Sequence, residues 1–394
     1  MLLPWVVDSR RAATEGQVMR WDLFCRVVDN FGDIGVCWRL ANTLVNTHGR
    51  WVRLWVDDWE ALRQLVPEVC AERAPCLVDG VEVFPWELAD QAGDCGGCVV
   101  EAFACALPLG YLARMRTHQP APAWINLEYL SAEDWIEECH GLPSPDPQTG
   151  LDKRFFFPGF TERSGGLIRE PGLLERRDAA QGMDGRALWL ARHVTPGASA
   201  ASRWVSLFCY ANGGLPSLLA CWQRSAQPIL LWVPAGMALR QVGEILGMPP
   251  VAGQCLQAGS LTVRALPFLS MRDYDALLAL CDLNFVRGED SFVRAQWAAR
   301  PMVWQAYRQA EDAHLVKLDA FLARYTAGLD PALALTLRAV WQAWNAGSDL
   351  NEAWPAFDRA LPALSRHARQ WCASLARQKD LAERLVEFVD TIVK

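Results

Sequence analysis

Apolar positions in this chain gather into short continuous runs, separated by stretches in which they recur every three or four residues. The first run, Leu23, Phe24, Val27 and Val28, ends in the polar turn Asp29-Asn30-Phe31-Gly32-Asp33. A helical spacing then begins with Val36, Leu40 and Leu44. Strand, tight loop and helix form the repeating unit of open α/β sheets. Further strands are predicted at 51–56, 81–84, 98–103 and 124–127, with a helix over 59–65 closed by Pro67. Ser131-Ala-Glu-Asp134 reads as a capping-box variant opening another helical turn. The stretch 141–150, rich in Pro, Gly and Asp, reads as a surface loop, and Phe155-Phe156-Phe157-Pro158 as a buried strand end or an aromatic wall for a ligand.

A composition break over 170–186 marks the expected domain boundary. Beyond it the pattern repeats, with strands at 205–210, 228–233, 261–266 and 283–286. Helices are expected over 218–222, 237–246 and 274–281 and from Ser291. The last stretch is helical in pattern, and 366–393 is compatible with one long helix. Strands separated by helices imply parallel sheets covered on both faces. The expected fold is therefore α/β, with two Rossmann-like doubly wound lobes facing a cleft. The expected limits are 21–175 for the first lobe, 186–365 for the second and 366–394 for a C-terminal helix. Residues 1–20 stand apart. Arg10 and Arg11 follow a short apolar run instead of preceding it, which is the wrong order for a signal peptide. They are expected to be a disordered extension, or to precede a true start at Met19.

Length and composition narrow the picture. A chain of 394 residues suits two domains, and 52% hydrophobic with 21% charged residues indicates a globular protein. No apolar run approaches the ~20 residues that span a bilayer, so no membrane association is expected. A net charge of −7 disfavours a nucleic-acid partner. Thirteen cysteines, an odd and scattered set, suit a reducing cytoplasm better than a disulfide framework. Cys95 and Cys98 form the lone C-x-x-C. Cys105, Cys139 and His140 supply no second ligand pair at a recognised spacing, so no metal site is expected. The nineteen tryptophans are spread along the chain and read as core packing.

Two constellations carry candidate chemistry. In the first, Asp29 and Asp33 flank a turn at the carboxyl end of a strand, where open α/β sheets bind ligands. They are candidates for proton transfer or for holding a cation, and equally for turn formation and helix capping. Gly32 and Gly35 lack the preceding glycine of a dinucleotide fingerprint. The second is Arg287-Gly288-Glu289-Asp290-Ser291, where strand, loop and helix start make an anion site. Arg287 can clamp a pyrophosphate through its forked donors. Ser291 can cap the helix or reach a phosphate, and Glu289 and Asp290 suit sugar hydroxyls. A capped helix with a solvated acidic first turn accounts for the same residues. Asp273-Tyr274-Asp275 spells the D-x-D of metal-dependent glycosyltransferases, but at a helix start, where acidic residues favour the dipole. Phe208, Tyr210 and Phe268 near strand ends are candidates to stack on a base, with core packing as the alternative. The histidines form no triad-like arrangement, and G-x-S-x-G is absent.

Four segments resemble one family: WDLFCRVVDNFGDIGVCWRLA from Trp21, INLEYLSAEDW from Ile125, FFFPGFTERSGGLIRE from Phe155 and FVRGEDSFVRAQWA from Phe285. Together they bracket most of the chain and resemble the protein-arginine rhamnosyltransferases that modify bacterial elongation factor P. The resemblance implies a GT-B glycosyltransferase whose C-terminal helix crosses back onto the first lobe. It implies dTDP-β-L-rhamnose as donor, an arginine of elongation factor P as acceptor, inversion of the anomeric configuration, and neither metal nor other cofactor. Asp33, Asp29 and Glu289 would be catalytic. Donor binding would fall to Asn30, Phe31, Gly32 and Asp33 with Phe208, Tyr210, Phe268 and the run Arg287, Gly288, Glu289, Asp290 and Ser291. The rival readings are a GT-B enzyme with another nucleotide sugar or acceptor, and a non-catalytic protein that binds a translation factor.

Overall fold

The structure, a computed structural model, describes residues 19–29, 31–193, 202–309 and 312–393. Residues 1–18 and Asn30 lie outside the described residues, and with them the expectations placed there.

The first lobe contains β1 (Arg20–Cys25), α1 (Gly32–Asn46), β2 (Trp51–Val56), α2 (Trp59–Leu65), β3 (Cys76–Val78), β4 (Val81–Pro85), β5 (Cys98–Ala102), α3 (Leu109–Thr117), β6 (Ala123–Leu127), α4 (Trp135–Cys139), β7 (Pro143–Pro145) and β8 (Asp152–Phe156). Its strands form one sheet in the order β3-β4-β2-β1-β5-β6-β8-β7. The β1, β5 and β6 strands are apolar along most of their length because helices cover both faces. The pairings are parallel except at the two edges, where β3 and β7 fold back as hairpins.

Next come α5 (Leu173–Ala180) and α6 (Gly185–His193). The second lobe follows with β9 (Arg203–Leu207), α7 (Leu215–Gln223), β10 (Ile229–Pro234), α8 (Met237–Leu246), β11 (Cys255–Ala258), β12 (Leu261–Leu266), α9 (Met271–Leu280), β13 (Leu283–Arg287), α10 (Asp290–Ala298) and β14 (Met302–Gln305). The second sheet runs β11-β12-β10-β9-β13-β14. The chain ends in α11 (Ala313–Tyr325), α12 (Pro331–Ala346), α13 (Trp354–Ala376) and α14 (Leu381–Ile392).

The strand orders decide where a ligand can sit. In the first sheet the chain proceeds outward from β1 to β2 and β4, then returns to the other side of β1 as β5. In the second it proceeds from β9 to β10 and β12, then returns beside β9 as β13. Loops leaving neighbouring strands in opposite directions open a crevice at each reversal. The Asp29–Asp33 turn follows β1, Phe208 and Tyr210 follow β9, and Gly288 to Ser291 follow β13. Both crevices face the gap between the lobes.

Three local expectations need correction, and the composition break holds a helix of its own. The loop expected over 141–150 contains β7, a short edge strand with little apolar signal. The composition break contains α5, which packs on α9 and α10. Ser131 does not cap α4. Its hydroxyl accepts from the Glu133 amide at 3.0 Å in a local turn, and α4 begins at Trp135. The helix expected over 366–393 is two helices. Asp380 accepts from the amides of Ala382 and Glu383 and starts α14 anew, while the Leu381 amide donates to Leu167 O at 3.0 Å. From there α14 crosses to the first lobe, pairing Asp390 with Arg50 at 2.9 Å and setting the Phe388 ring at a tilt 5.5 Å from that of Phe156. The tryptophans Trp21, Trp55, Trp204, Trp222, Trp232, Trp341 and Trp344 are fully buried. No helix among the described residues is long and apolar enough to cross a membrane.

Candidate functional site

The helix α1 starts at Gly32, so Asp33 lies inside its first turn and is not its cap. Its carboxylate turns back onto the loop that precedes the helix. Asp33 Oδ2 accepts from the amides of Val28 at 2.7 Å and Asp29 at 2.9 Å. Burial pushes the Asp33 pKa up, against the pull of those two amides; the neighbouring Asp29 charge adds to the rise, and the facing Tyr129 hydroxyl opposes it.

Asp29 is held between the lobes. The Tyr210 hydroxyl of the second lobe donates to Asp29 Oδ2 at 2.6 Å. A Cβ on Gly32 would lie 3.0 Å from that oxygen, and one on Gly288 only 2.4 Å. Gly288 also has φ +60°, so a glycine is needed there for conformation as well as for space. Burial raises the Asp29 pKa, while the Tyr210 hydrogen bond and the Arg287 charge lower it.

The loop between β13 and α10 is fastened from behind. Trp304 Nε1 donates to Gly288 O at 2.7 Å, and the Gly288 amide donates to Gln305 O at 3.2 Å. The Arg287 guanidinium lies between two rings, 4.5 Å from the centre of Phe208 and 4.4 Å from that of Tyr210. It makes no ion pair among the described residues. Glu289 Oε2 accepts from the Leu130 amide of the first lobe at 2.9 Å. Burial pushes the Glu289 carboxyl up to about 8, helped by the negative charges of Asp33 and Asp290 and opposed by the Leu130 amide and Lys317.

Two cavities meet at Asp29. One is lined by Phe31 and Gly32 of the first lobe and by Phe208, Phe268, Arg287, Asp290 and Ser291 of the second. The other holds Asp33, Gly288, Glu289 and Tyr129. Asp29 thus stands at the shared wall, with a guanidinium that makes no ion pair among the described residues on one side and the pocket of Asp33 and Glu289 on the other.

Several residues take different parts from those read off the sequence. The Tyr210 ring is committed to Arg287 and its hydroxyl to Asp29, so it does not offer a free stacking face. Phe268 does line the first cavity, with Phe31 4.9 Å away across the lobe gap. The Ser291 hydroxyl donates to Arg287 O and accepts from the Arg287 amide, bracing the turn. Asp290 Oδ1 accepts from Arg39 Nε at 2.8 Å, so this oxygen is engaged by α1. The D-x-D pair is engaged by arginines too, Asp275 by Arg39 and Arg294 and Asp273 by Arg192. Three residues of the site carried no signal by spacing: Tyr129, stacked on Phe103, Lys317 near the Tyr129 ring, and Arg39. Tyr129 does fall inside one of the four segments that bear the family resemblance.

The geometry suits transfer between an anionic ligand at Arg287 and a cationic one among the carboxylates. Comparison with known proteins gives the family. The model of the family described as Elongation-Factor P (EF-P) rhamnosyltransferase EarP matches residues 21–390. A protein-arginine rhamnosyltransferase of Pseudomonas putida is 48% identical over 373 residues, covering 93% of this chain and 98% of that one. A solved structure described as the basis for EarP-mediated arginine glycosylation of translation elongation factor EF-P is 36% identical. It covers 95% of this chain and 99% of its own, with a TM-score of 0.67. The glycosyltransferase VinC, solved with dTDP, shares the two-lobed GT-B fold at 13% identity and a TM-score of 0.51, over 94% of this chain and 99% of its own.

Proposed function

The chain belongs to the elongation-factor P rhamnosyltransferase EarP family of protein-arginine rhamnosyltransferases, and we propose that it moves L-rhamnose from dTDP-β-L-rhamnose to an arginine of elongation factor P with inversion. The reading rests on one observation above others: a guanidinium with no ion pair among the described residues, held by two rings, lines one cavity, while Asp33 and Glu289 line the next and Asp29 borders both. A pyrophosphate supplies the missing negative charge at Arg287, aided by the free amides at the start of α10. Phe268 and Phe31 provide the aromatic wall for the thymine.

The acceptor guanidinium enters the second cavity. It is delocalised and protonated at neutral pH, so no resting carboxylate removes its proton. Asp33 and Glu289 hold it, and Asp29 fixes its place beside the anomeric carbon. Attack comes in line, from the face away from the leaving dTDP. The attacking nitrogen becomes acidic as the C–N bond forms, and Asp33 then takes its proton. Arg287 neutralises the departing pyrophosphate, which removes the need for a metal at the donor.

Mass spectrometry of elongation factor P after incubation with the protein and dTDP-rhamnose tests the reading. One deoxyhexose on one arginine is expected. Complex formation without any mass increment would reduce the protein to a binding partner, and transfer from a different nucleotide sugar would change the donor.

Two further outcomes follow from the site. Arg287→Gln removes the charge but keeps a donor group, and is expected to weaken dTDP-rhamnose binding by roughly 10–100-fold, the effect of losing charge-assisted hydrogen bonds. Magnesium is expected to leave the affinity of the unaltered protein within about twofold. Calorimetric titration measures both, and a strict magnesium requirement would remove Arg287 from this role.

Glu289 also predicts a pH dependence. Its folded pKa of about 8 lies above the ordinary 4.5, so the folded state retains a proton that the unfolded state has lost. The associated stability is fully present below about pH 4.5 and declines as pH rises through about 8, at most ~1.4 kcal/mol per pH unit. Glu289→Gln should flatten that part of the decline. Melting temperatures of both proteins from pH 5 to 8 check this; parallel curves would show that Glu289 is ionised throughout.

A further inference from the structure

At the pole of the first sheet remote from the cleft, three side chains converge. Asp94 and Cys95 sit in the loop entering β5, and His118 ends α3. One ligand atom from each lies within 4.8 Å of the other two, the one such group of three or more Cys, His, Asp and Glu residues among the described residues. His118 Nε2 stands 3.5 Å from Asp94 Oδ1. The edge between nitrogen and oxygen in a tetrahedral zinc site is about 3.3 Å, given bonds of about 2.0–2.1 Å. The two outer ligands are therefore already near their final separation.

Contacts outside the trio orient each member. His118 Nδ1 lies 2.7 Å from Pro120 O, and a carbonyl only accepts, so Nδ1 carries the hydrogen. The Nε2 lone pair is thereby turned towards Asp94 and Cys95, the arrangement by which metal-binding imidazoles are commonly fixed. Arg20 lies 3.4 Å from Asp94 Oδ2, leaving Oδ1 for the shared point. The backbone is anchored as well: Arg20 donates to Cys95 O at 2.7 Å, Arg53 to Asp94 O at 2.9 Å, and the Gly96 amide to buried Asp22 at 2.6 Å. The Cys95 side chain is 2% exposed and makes no hydrogen bond to another of the described residues. A surface His–Asp contact accounts for two of the groups; the Cys95 thiol reaches the same point from the edge of the core formed by Phe24, Trp55 and Tyr111.

We propose that Asp94, Cys95 and His118 bind one thiophilic divalent cation, zinc foremost, with water completing a tetrahedron on the exposed Asp94 side. Binding replaces the thiol proton by the metal, and that proton goes to solvent. Thiolate and carboxylate together match the charge of a divalent ion, and neutral imidazole adds the third donor. Cys98 is not one of the three converging groups; it lies in β5 in a different core cluster from Cys95. The C-x-x-C spacing is therefore incidental, and the real partner is His118, one helix later. Asp29 and Arg287 lie at the opposite ends of their strands, so this ion takes no part in transfer. It ties the β5 entry loop to the end of α3 and stabilises the first lobe.

Cobalt titration of the chelator-stripped full chain tests the site. One cobalt ion per chain is expected, with a sulfur-to-cobalt charge-transfer band that zinc abolishes by displacement. Cys95→Ser should lose the band and His118→Ala should weaken binding at least about 10-fold. Cys255→Ser, which alters an exposed thiol elsewhere, should change neither. Zinc should raise the melting temperature of the unaltered chain but not of either ligand variant. If Cys95→Ser fails to fold, the partly exposed His118→Ala carries the test by itself. No thiolate band in the unaltered chain, or cobalt binding unchanged in His118→Ala, would overturn the proposal.

Discussion

Asp33→Asn is expected to lower turnover by roughly 10²–10⁴-fold, the usual worth of a general base, while leaving donor affinity almost unchanged. The amide is close to the carboxylate in size, and its oxygen can still accept from the Val28 and Asp29 amides. The β1–α1 loop should therefore keep its shape. What the substitution removes is the site that receives the guanidinium proton as the C–N bond forms. Donor binding should survive because Arg287, Phe208 and Phe268 sit on the other lobe. A purely structural Asp33 makes a different forecast. Asn would then be tolerated, and Ala would cost ~1–3 kcal/mol by leaving two loop amides without their acceptor. Turnover, melting curves and donor titration on Asp33→Asn separate the two. A variant that melts normally, binds donor and transfers rhamnose at close to the parent rate would end the catalytic assignment.

Arg39→Met should be among the most destabilising single changes in the chain, at about 3–5 kcal/mol. Arg39 is 5% exposed on α1 and reaches across the lobe boundary. It donates to Asp290 at 2.8 Å, to Glu170 at 2.8 Å and to Asp275 at 3.1 and 3.2 Å. Arg294, 2% exposed, shares Glu170 and Asp275 at 2.6 and 2.7 Å. Methionine fills much of the space but leaves three carboxylates around one guanidinium. The large cost is that of buried charge without a partner, not the net worth of the original pairs. Loss of Arg39 also frees Asp290 at the start of α10, so donor affinity should fall together with stability. Denaturant midpoints of the two proteins give the first effect and donor titration the second. Equal midpoints would mean that water already satisfies this cluster.

Much of the architecture was legible because its causes are local. The apolar run of β1, the turn after it and the spacing of Val36, Leu40 and Leu44 act over one supersecondary unit. Such signals fail where an element is short or its covering is distant. The edge strand β7 has almost no apolar pattern, and α5 gains its packing from α9 and α10. The split between α13 and α14 depends on Asp380 capping and on a backbone bond to Leu167, which periodicity does not register.

The sequence by itself determined the strand–turn–helix units, the placing of Asp29, Asp33, Arg287 and Glu289 at strand ends, and the kinship borne by four segments. Those depend on neighbours within a few positions, where hydrophobic period and turn chemistry act directly. Tertiary structure decided what each group meets. Tyr210 reaches Asp29 across 181 positions, Leu130 reaches Glu289 across 159, and Arg39 reaches Asp290 across 251. Those contacts arise only when two separately folded sheets pack with their crevices face to face. Packing also set the balance of desolvation against hydrogen bonding that raises the carboxyl pKa values, a balance no local stretch contains. For the same reason the lone C-x-x-C gave no sign of His118, which the folded chain sets beside Cys95.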